Sequence, residues 1–455
     1  MNKEIKKGLV PVLRFSEFKD SGEWEEKTLG SFCKIGDIDH KMPLSVTDGI
    51  PYVMTGNFFG INNIDFDNAK KISIEDYEQL SRKIKPEYGD IIIARYASVG
   101  AVRYVETKIK FLVSYSCAIA KCSKSENSKY LYYVFQSDDI QTKIGLEINM
   151  SSQKNIGIDS IKKLNIFSPT FPEQTKIAAC LSSLDDLITA QTQKIEALKT
   201  HKKGLMQQLF PQEGETVPKL RFPEFIDSGE WEEKTVGQIS RNVTAGGTPS
   251  TSEKSYWGGN IKWMNSGELN NKKVYEVQGR ITEEGLRNSS TKFIPKHSVL
   301  IGLAGQGKTR GTVAMNMVEV CINQSIAAIF PNDEKFFSNF LYHNLDNRYD
   351  ELRRLSAGGE GRGGLNLQII KSLIIHLPKL KEQTKIANCL SSLDDLINAQ
   401  VKKCELLKTH KKGLMQGLFP SSNEEDYTKS RQNLDTSETI EEISKKAMML
   451  RNHDQ

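Results

Sequence analysis

The chain carries one stretch twice: EQTKIAACLSSLDDLITAQTQKIEALKTHKKGLMQQLFP at Glu173–Pro211 and EQTKIANCLSSLDDLINAQVKKCELLKTHKKGLMQGLFP at Glu382–Pro420, with 32 of 39 positions identical. In both copies apolar side chains recur at alternating spacings of four and three, which is typical of a coiled-coil seam. Pro172 suits the first turn of such a helix and Pro211 its end. The stretch therefore predicts a long helix in each copy.

The predicted seam is apolar apart from two recurring positions. Its principal packing residues are Ile177, Leu181, Leu184, Ile188 and Leu198 in the first copy and Ile386, Leu390, Leu393, Ile397 and Leu407 in the second. Glutamine (Gln191, Gln400) and lysine (Lys202, Lys411) interrupt both seams at matching places. Polar seam residues cost stability but fix register and orientation.

Each helix has its own copy as the simplest partner. Pseudo-two-fold symmetry between the two halves of the chain would make the pair antiparallel, and the coiled coil would then lie within one molecule. A helix of this length extends about 58 Å at ~1.5 Å per residue, so the pair would act as a stiff spacer. A coiled coil between two chains is the alternative.

A shorter repeat heads each half of the chain. Val10–Gly30 returns as Val217–Gly237 with 17 of 21 positions identical. The blocks between the repeats, 31–172 (the first insert) and 238–381 (the second insert), share little sequence. Trp24 and Trp231, in the repeated GEWEEKT, are expected to fill a core at the start of each insert.

These repeats predict the domain organisation. Residues 1–172 form the first globular domain, with the repeat segment 10–30. The first spacer helix is 173–211. Residues 212–381 form the second globular domain, with the repeat segment 217–237. The second spacer helix is 382–420, and a polar tail, 421–455, is expected to be disordered.

Composition places few limits on function. The 455 residues carry a net charge of +5. The first insert has 18 basic and 16 acidic residues, the second 19 and 12, which permits nucleic acid as a partner without requiring it. No apolar run approaches the ~20 residues of a membrane span, and the seven cysteines form no CxxC pair. We expect a cytoplasmic protein with no membrane partner.

Both inserts read as mixed α/β. Asp90–Ala94 and His297–Leu303 are short apolar runs typical of buried strands. A faint alignment of apolar positions, such as Leu131-Tyr132 with Leu341-Tyr342, indicates a shared fold with divergent loops. The predicted class is α+β: two mixed α/β domains joined by two long antiparallel coiled-coil helices.

One stretch matches a phosphate-binding loop literally. GLAGQGKT at 302–309 fits GxxxxGKT and follows a predicted strand. The chemistry of that loop requires a helix next, whose N-terminal amides hold the phosphates. Gly311 followed by β-branched residues favours a strand instead. A nucleotide-binding enzyme that uses Lys308 is thus the weaker alternative. No other catalytic or metal-binding motif is present in the sequence, so we expect no catalytic residue and no metal ligand.

Loops rich in Gly, Ser and Thr remain as candidates for recognition. They include AGGTPSTSEKSYW (245–257) and SAGGEGRGGLN (356–366) in the second insert and NMSSQKN (149–155) in the first. Glycine permits close approach to phosphate, hydroxyls bond phosphate oxygens, and Arg, Gln and Asn read base edges. The predicted DNA-binding residues, which we expect to read bases, are Arg95, Tyr96, Gln153 and Lys154 in the first insert and Gln306, Lys308, Arg310 and Arg362 in the second. Ordinary solvated loops are the alternative for any one of them.

With these motifs in view, the chain resembles the specificity subunit of a type I restriction–modification system over residues 9–420. The resemblance rests on VPKLRFPEF…GEWEEK in each half and on EQTKIA…LSSLDDLI…KKGLMQQLF in the helices. It also rests on GGTPST…YWGGNIKWMNSGEL, ITEEGL and INQS in the second insert. The first insert lacks GGTPS, so there the resemblance is carried by the flanking repeats.

The resemblance implies two target-recognition domains, each reading half of a bipartite, asymmetric sequence in double-stranded DNA. It implies that the helix pair sets the gap between the half-sites. Two methyltransferase subunits that modify adenine and two ATP-driven restriction subunits would be the partners. S-adenosylmethionine, ATP and Mg then belong to those partners and none to this chain, which would be non-catalytic. A purely structural coiled-coil scaffold is a further alternative.

Overall fold

The computed structural model describes residues 9–149, 154–305, 308–356 and 364–420. The chain forms two compact units. The first runs to Gln193 and resumes at Lys402; the second is Lys194–Val401. These units cut across the domains predicted from the repeats, because the C-terminal part of each long helix belongs to a different unit from its N-terminal part.

The first unit is built on short strands and helices. Its strands are β1 (Glu25–Thr28), β2 (Cys33–Gly36), β3 (Ile50–Val53), β4 (Phe58–Phe59), β5 (Asn63–Ile64), β6 (Lys70–Ile72), β7 (Ile91–Ala94), β8 (Val102–Tyr104), β9 (Leu112–Val113), β10 (Cys117–Cys122) and β11 (Asn165–Ser168). Its helices are α1 (Leu29–Phe32), α2 (Ile74–Leu80), α3 (Ser128–Val134), α4 (Asp138–Leu146), α5 (Ile158–Lys163) and the start of α6 (Phe171–Leu209).

The second unit repeats this plan. Its strands are β12 (Glu232–Thr235), β13 (Val243–Ala245), β14 (Trp257–Met264), β15 (Lys273–Val274), β16 (Gly279–Ile281), β17 (Phe293–Ile294), β18 (Val299–Gly302), β19 (Val313–Asn316), β20 (Val320–Ile322), β21 (Ile326–Ile329) and β22 (Ile374–Leu377). Its helices are α7 (Val236–Ile239), α8 (Glu283–Arg287), α9 (Ser338–Asn347), α10 (Tyr349–Leu355), α11 (Leu367–Ser372) and the start of α12 (Leu380–Leu418).

The strand orders of the two units correspond. The main sheet of the first unit is β2-β10-β7-β8, and that of the second is β13-β21-β18-β19 with β15 added at the edge. A second sheet, β6-β3-β9, corresponds to the first three strands of the sheet β16-β14-β20-β17. β3 pairs with β9 in parallel, as β14 does with β20. The mixed α/β character predicted from the sequence is confirmed, and the inserts share a strand topology that their sequences barely show.

The strand predicted in each insert is the buried centre of its main sheet. The β7 sequence IIIA and the β18 sequence VLIG are buried at all four positions. Strands covered on both faces read as continuous apolar runs, which is why the sequence signal was clear. Trp24 and Trp231 are buried in the cores of the first and second units, as predicted.

Long helices occupy both copies of the 39-residue repeat. Each begins two residues before the predicted start and ends two residues before the predicted end, at Leu209 and Leu418. The early end has a steric cause, since the ring of Pro211 disfavours the helical conformation at Phe210 and Pro420 acts likewise on Phe419.

The predicted seam residues lie mostly in buried positions. Eight of the ten are buried and two are half-buried: Ile177, Leu181, Leu184, Ile188, Ile386, Leu390, Ile397 and Leu407, then Leu198 and Leu393. Within the first unit, Ile177, Leu181 and Leu184 of α6 share a core with Leu414 and Leu418 of α12.

The lysines that interrupt the seams are each matched by an aspartate. Lys411 Nζ lies 2.7 Å from Asp185 Oδ1 in the first unit, and Lys202 Nζ lies 2.5 Å from Asp394 Oδ1 in the second. The two lysines are equivalent in the repeat, and so are the two aspartates. The same ion pair therefore forms twice. In the first unit Thr192 Oγ1 also approaches Cys404 Sγ at 3.7 Å, so the α6 and α12 segments run antiparallel there.

The short repeat is fastened to the long helix of its own unit. Arg14 donates from Nε and Nη2 to both carboxylate oxygens of Glu173, each at 2.8 Å, and Arg221 binds Glu382 in the same two-pronged way at 2.7 and 2.8 Å. These side chains are almost fully buried. The short repeat thus supplies the arginine and the long repeat the glutamate of a buried, charge-assisted ion pair, which we call the clamp.

Candidate nucleic-acid interface

Four loops converge at one end of the main sheet of the first unit. Residues 37–41 follow β2, 95–101 join β7 to β8, and 114–116 precede β10. The described residues 154–156, which come after α4 in the chain, lie at the same place. The isolated bridge between Tyr96 and Asn155 ties the second of these loops to the fourth. We call this surface the loop end of the first unit.

The second unit has the same arrangement. Its loop end comprises residues 246–250 after β13, the described residues 303–305 and 308–312 between β18 and β19, 323–325 before β21, and the described part of 356–366. A Cβ placed on Gly364 would lie 3.7 Å from the carbonyl oxygen of Leu303, so the second and fourth loops meet here too. Of the predicted DNA-binding residues that the structure describes, Arg95, Tyr96 and Lys154 lie at the loop end of the first unit, and Lys308 and Arg310 lie at that of the second.

Arg95 anchors the loop end of the first unit instead of projecting from it. The residue is 6% exposed. Its guanidinium donates to Asp37 Oδ2 at 2.5 Å and to the carbonyl oxygens of Ile156 and Tyr115 at 3.0 and 3.4 Å. This placement does not fit the predicted base contact, because the residue is buried and its Nε and Nη1 donate to groups of the protein itself. Arg95 is suited to hold three of the four loops in position.

Asp37 is the centre of this polar cluster. It also receives Lys83 Nζ at 2.9 Å and contacts His40 Nε2 at 3.1 Å. Burial alone would raise the pKa of the Asp37 carboxyl, but hydrogen bonds from Lys83 and His40 and the charge of Arg95 hold the pKa below its ordinary value. The carboxylate is therefore charged at neutral pH and fixes the groups around it.

Tyr96 and Lys154 lie beside the anchor. Tyr96 is half-buried with its ring 5.7 Å from the Arg95 guanidinium carbon, and Lys154 is exposed. Ala97, the next residue after Tyr96, has a left-handed backbone with φ of 59°, a conformation that costs an alanine about 1–2 kcal/mol. Both side chains are available to a ligand at this surface. Gln153 lies outside the described residues.

In the second unit the described part of the β18–β19 loop is braced by α10. Lys308 is exposed, while its carbonyl oxygen accepts hydrogen bonds from Thr312 Oγ1 at 2.7 Å and Tyr349 Oη at 3.1 Å. Arg310 is half-buried, and its Nε has no hydrogen-bond partner among the described residues. Gln306 and Arg362 lie outside the described residues.

The loop that matches the phosphate-binding pattern belongs to a hairpin. β18 pairs antiparallel with β19, and Gly311 takes φ of 80° just before β19. The chain thus continues from Lys308 into a strand, where a nucleotide site of this type needs the N-terminus of a helix. The nucleotide-hydrolysing alternative has no structural support here.

Sequence reasoning missed several members of the loop ends. His40 and Tyr115 stack in the first unit, and Thr248 bonds Gln324 in the second. The members of each pair are about 75 residues apart along the chain, so no local pattern joins them. The available signal was the second insert's AGGTPST and INQS motifs, which supply Thr248 and Gln324.

The described residues lack two features, a membrane-spanning helix and a cluster of metal ligands. Across the described ranges, no helix combines the length and apolar character that a bilayer span demands. No group of three or more His, Cys, Asp or Glu side chains in the same ranges is placed to hold a metal ion.

The family model for the type I restriction modification DNA specificity domain matches the chain twice, at residues 21–200 and 228–407. The chain belongs to this family. Each match takes in one insert and most of the spacer helix that follows it. The family predicted from the duplicated motifs is confirmed.

Named relatives agree with this membership. The putative type I restriction enzyme MjaX specificity subunit of Methanocaldococcus jannaschii is 27% identical over 373 residues, covering 79% of this chain and 84% of the relative. The type I restriction enzyme HindI specificity subunit of Haemophilus influenzae is 21% identical over 428 residues, covering 78% and 90%. Both are named specificity subunits, in agreement with the prediction that this specificity subunit is not itself catalytic.

A solved structure shows the same fold. The S subunit of a type I restriction–modification system from M. genitalium superposes with a TM-score of 0.59 at 17% identity, over 91% of this chain and all of that one. At this identity the likeness extends to the fold.

Proposed function

We propose that this specificity subunit reads a bipartite DNA sequence, with each loop end contacting one half-site. The observation that carries the proposal is the correspondence of the loop ends. The two units share a strand topology, so the same four loops meet at the same end of both main sheets. Their side chains differ, which is what two unlike half-sites require.

The chemistry of the loop ends supports contact with DNA. Lys154 and Lys308 are exposed and can bind phosphate, and Tyr96 and Arg310 are half-buried beside them. With Gln153, Gln306 and Arg362 they form the proposed DNA-binding set. Arg95 enters the proposal as a positioning residue that acts through Asp37 and the loop of Ile156.

The long helices are proposed to form an antiparallel coiled coil with pseudo-two-fold symmetry. The repeated ion pairs Lys411–Asp185 and Lys202–Asp394 support it, because equivalent partners meet in both units. Such a pair would set the spacing between half-sites, which lie roughly 34–36 Å apart when both are read from one side of the duplex. The predicted domain boundaries, 1–172, 173–211, 212–381 and 382–420, are retained as functional divisions.

The partners are proposed by family. Two methyltransferase subunits would dock on the duplicated helices and two restriction subunits would join for cleavage, in the cytoplasm of the cell. S-adenosylmethionine, ATP and Mg would be bound by those subunits. A solved chain described under the assembly of a type I restriction–modification system has the same fold, with a TM-score of 0.56 over 88% of this chain.

The test is to map methylated adenines in DNA modified by the full chain with its methyltransferase partner. The expected result is one asymmetric motif of two short half-sites around a fixed gap. Arg362→Ala should relax preference in one half-site by a factor of about 5 to 150, the value of one good base contact. Arg95→Ala should relax the other half-site through loss of loop position.

A continuous motif, or a motif that survives replacement of all four loops of one unit by Gly/Ser segments, would refute the proposal. The second of these outcomes would favour the scaffold alternative, since specificity would then lie elsewhere. Equal loss in both half-sites from Arg362→Ala would contradict the assignment of one unit to one half-site.

A further inference from the structure

The two loop ends present one equivalent pair of side chains each. In the first unit β2 residue Gly36 pairs with Ile119, two residues into β10. In the second unit Thr244 pairs with Ala328, two residues into β21. Counting four residues onward from Gly36 and from Thr244 reaches His40 and Thr248. Two residues before the start of β10 and of β21 stand Tyr115 and Gln324.

The members of each pair touch. The His40 and Tyr115 rings are stacked with centroids 4.9 Å apart and planes inclined by 25°. The Thr248 hydroxyl donates to Gln324 Oε1 at 2.6 Å. His40 and Gln324 are exposed, whereas Tyr115 and Thr248 are half-buried. Each pair thus has one supported and one projecting member.

Each pair rests on a rigid base, although the two bases differ. In the first unit His40 is fixed by Asp37, which Arg95 and Lys83 hold in place. Tyr115 packs its buried side against the core of the β6-β3-β9 sheet. The projecting ring is therefore held in one orientation from both loops.

In the second unit close packing takes the place of the ion cluster. A Cβ on Gly246 would lie 1.7 Å from the Ile322 carbonyl oxygen, and one on Gly247 2.1 Å from Ser290 Oγ. Trp263 Nε1 also donates to the carbonyl oxygen of Gly247 at 3.0 Å. The glycines of GGTPST thus let the loop lie against its neighbours and position Thr248. Their role is structural, because a side chain at either position would clash.

We propose that these two pairs, His40–Tyr115 and Thr248–Gln324, are specificity-determining residues for the two half-sites. This inference rests on the proposed function and assigns its base recognition to particular residues. The two pairs occupy equivalent positions on corresponding strands, but their side chains differ. Such positions allow the recognised bases to change while the fold stays the same. A stacked imidazole and phenol offer ring edges to a base, whereas a glutamine held through Oε1 turns its amide N–H groups outward as donors.

The test exchanges the pairs between units in the full chain with its methyltransferase partner. His40→Thr with Tyr115→Gln should change the preferred bases in one half-site, by a factor of about 5 to 150 at each affected position, and leave the other half-site as it was. Thr248→His with Gln324→Tyr should do the same to the other half-site. Methylated-adenine mapping gives both readings.

Tyr88→Gln is the matched control. Tyr88 is a 64% exposed tyrosine of the same unit that precedes β7, at the opposite end of the main sheet from the loop end. This variant should retain the wild-type motif. Gln324→Glu keeps shape and exposure and replaces the amide donors by acceptors, so it should alter the second unit's half-site even if a double variant fails to fold.

Exchange variants that leave the motif unchanged, or that weaken both half-sites alike, would overturn the inference. A change of motif in Tyr88→Gln would do so too. A wild-type motif that is not bipartite would instead defeat the proposed function. A bipartite wild-type motif that persists through both exchanges and Gln324→Glu would defeat this inference alone.

Discussion

The two units share their strand order and the contacts between their repeats, and they differ in the side chains of their loop ends. Equivalent strands pair in equivalent order, and the Arg14–Glu173 clamp recurs as Arg221–Glu382. At the loop ends an ion cluster around Asp37 in one unit is replaced by close-packed glycines in the other. The difference shows that one strand topology supports unlike loop chemistry as long as the repeat contacts persist.

The two units also differ at one buried site beside the long helices. Tyr133 donates to Asp185 Oδ2 at 2.9 Å in the first unit, and the aligned residue of the second unit is His343. His343 bonds Ser391 Oγ at 3.1 Å, while its Nδ1 lies 4.0 Å from Asp394 Oδ2. Within the described residues, neither of those two atoms has a hydrogen-bond partner. The same site is fully paired in one unit and partly paired in the other.

Breaking a clamp should have the largest effect. Glu382→Ala leaves Arg221 buried and unpaired, which typically costs about 3–5 kcal/mol, so the second unit should lose that much stability. Glu173→Ala should cost the first unit roughly 1 kcal/mol more, because Trp24 Nε1 also loses its acceptor at 3.3 Å. Hydrogen exchange resolved by unit measures both.

Glu224→Ala is the control for the clamp. Its partner Lys385 is half-exposed, so the loss of stability should be much smaller than the loss from either clamp variant. Equal losses from the clamp and the control would mean that burial of the carboxylate contributes nothing.

Removing a seam lysine should have a smaller effect that differs between units. Lys202→Met leaves Asp394 without its cation and should cost about 1–3 kcal/mol. Lys411→Met should cost less, because Tyr133 still donates to Asp185. Chemical denaturation of the two variants gives the order, and the reverse order would contradict the role assigned to Tyr133.

Acid should distinguish the units by about 1 kcal/mol. Burial, with the charges of Lys202 and Lys273, holds the pKa of His343 well below its ordinary value. A histidine with a depressed folded pKa binds more protons when unfolded, so stability is lost as pH falls below about 6.5, by up to ~1.4 kcal/mol per pH unit.

Hydrogen exchange between pH 7 and pH 5.5 should therefore show the second unit weakening through this group. His343→Tyr, which copies the first unit, should abolish that part of the pH dependence. A pH response unchanged by the substitution would assign it to other groups.

The smallest effect concerns one phosphate contact. Lys308→Ala should weaken binding to all DNA sequences alike and lower the salt slope, the change of log affinity with log salt, by about 0.9. Lys296→Ala, an exposed lysine before β18 at the other end of the sheet, should leave the slope unchanged. A loss confined to one sequence would make Lys308 a base-reading residue.

Local pattern was enough for the parts of the fold that repeat. The seam spacing of Ile177 to Ile188 predicts the long helices, and the apolar runs at 90–94 and 297–303 predict the central strands, which the structure places at 91–94 and 299–302. Both succeed because helix and buried strand carry their own period in a short stretch of sequence.

Long-range contacts lay beyond that reasoning. Lys411 was recognised as a polar seam residue, but its partner Asp185 is 226 positions away. The sequence predicts a DNA contact for Arg95, whereas the structure buries its side chain against Asp37 and the carbonyl oxygen of Ile156. The exposure of a side chain depends on elements that no single stretch specifies.

Residue order alone establishes that this protein consists of two repeated halves with unlike inserts, because repeat identity and helical periodicity are local properties of the chain. The contacts between side chains follow from the fold. It joined Tyr115 to His40 and Gln324 to Thr248 across strands distant in the chain, and it turned Arg95 inward. Pairing of this kind is set by sheet register and by the burial of charge, and both are properties of the folded chain.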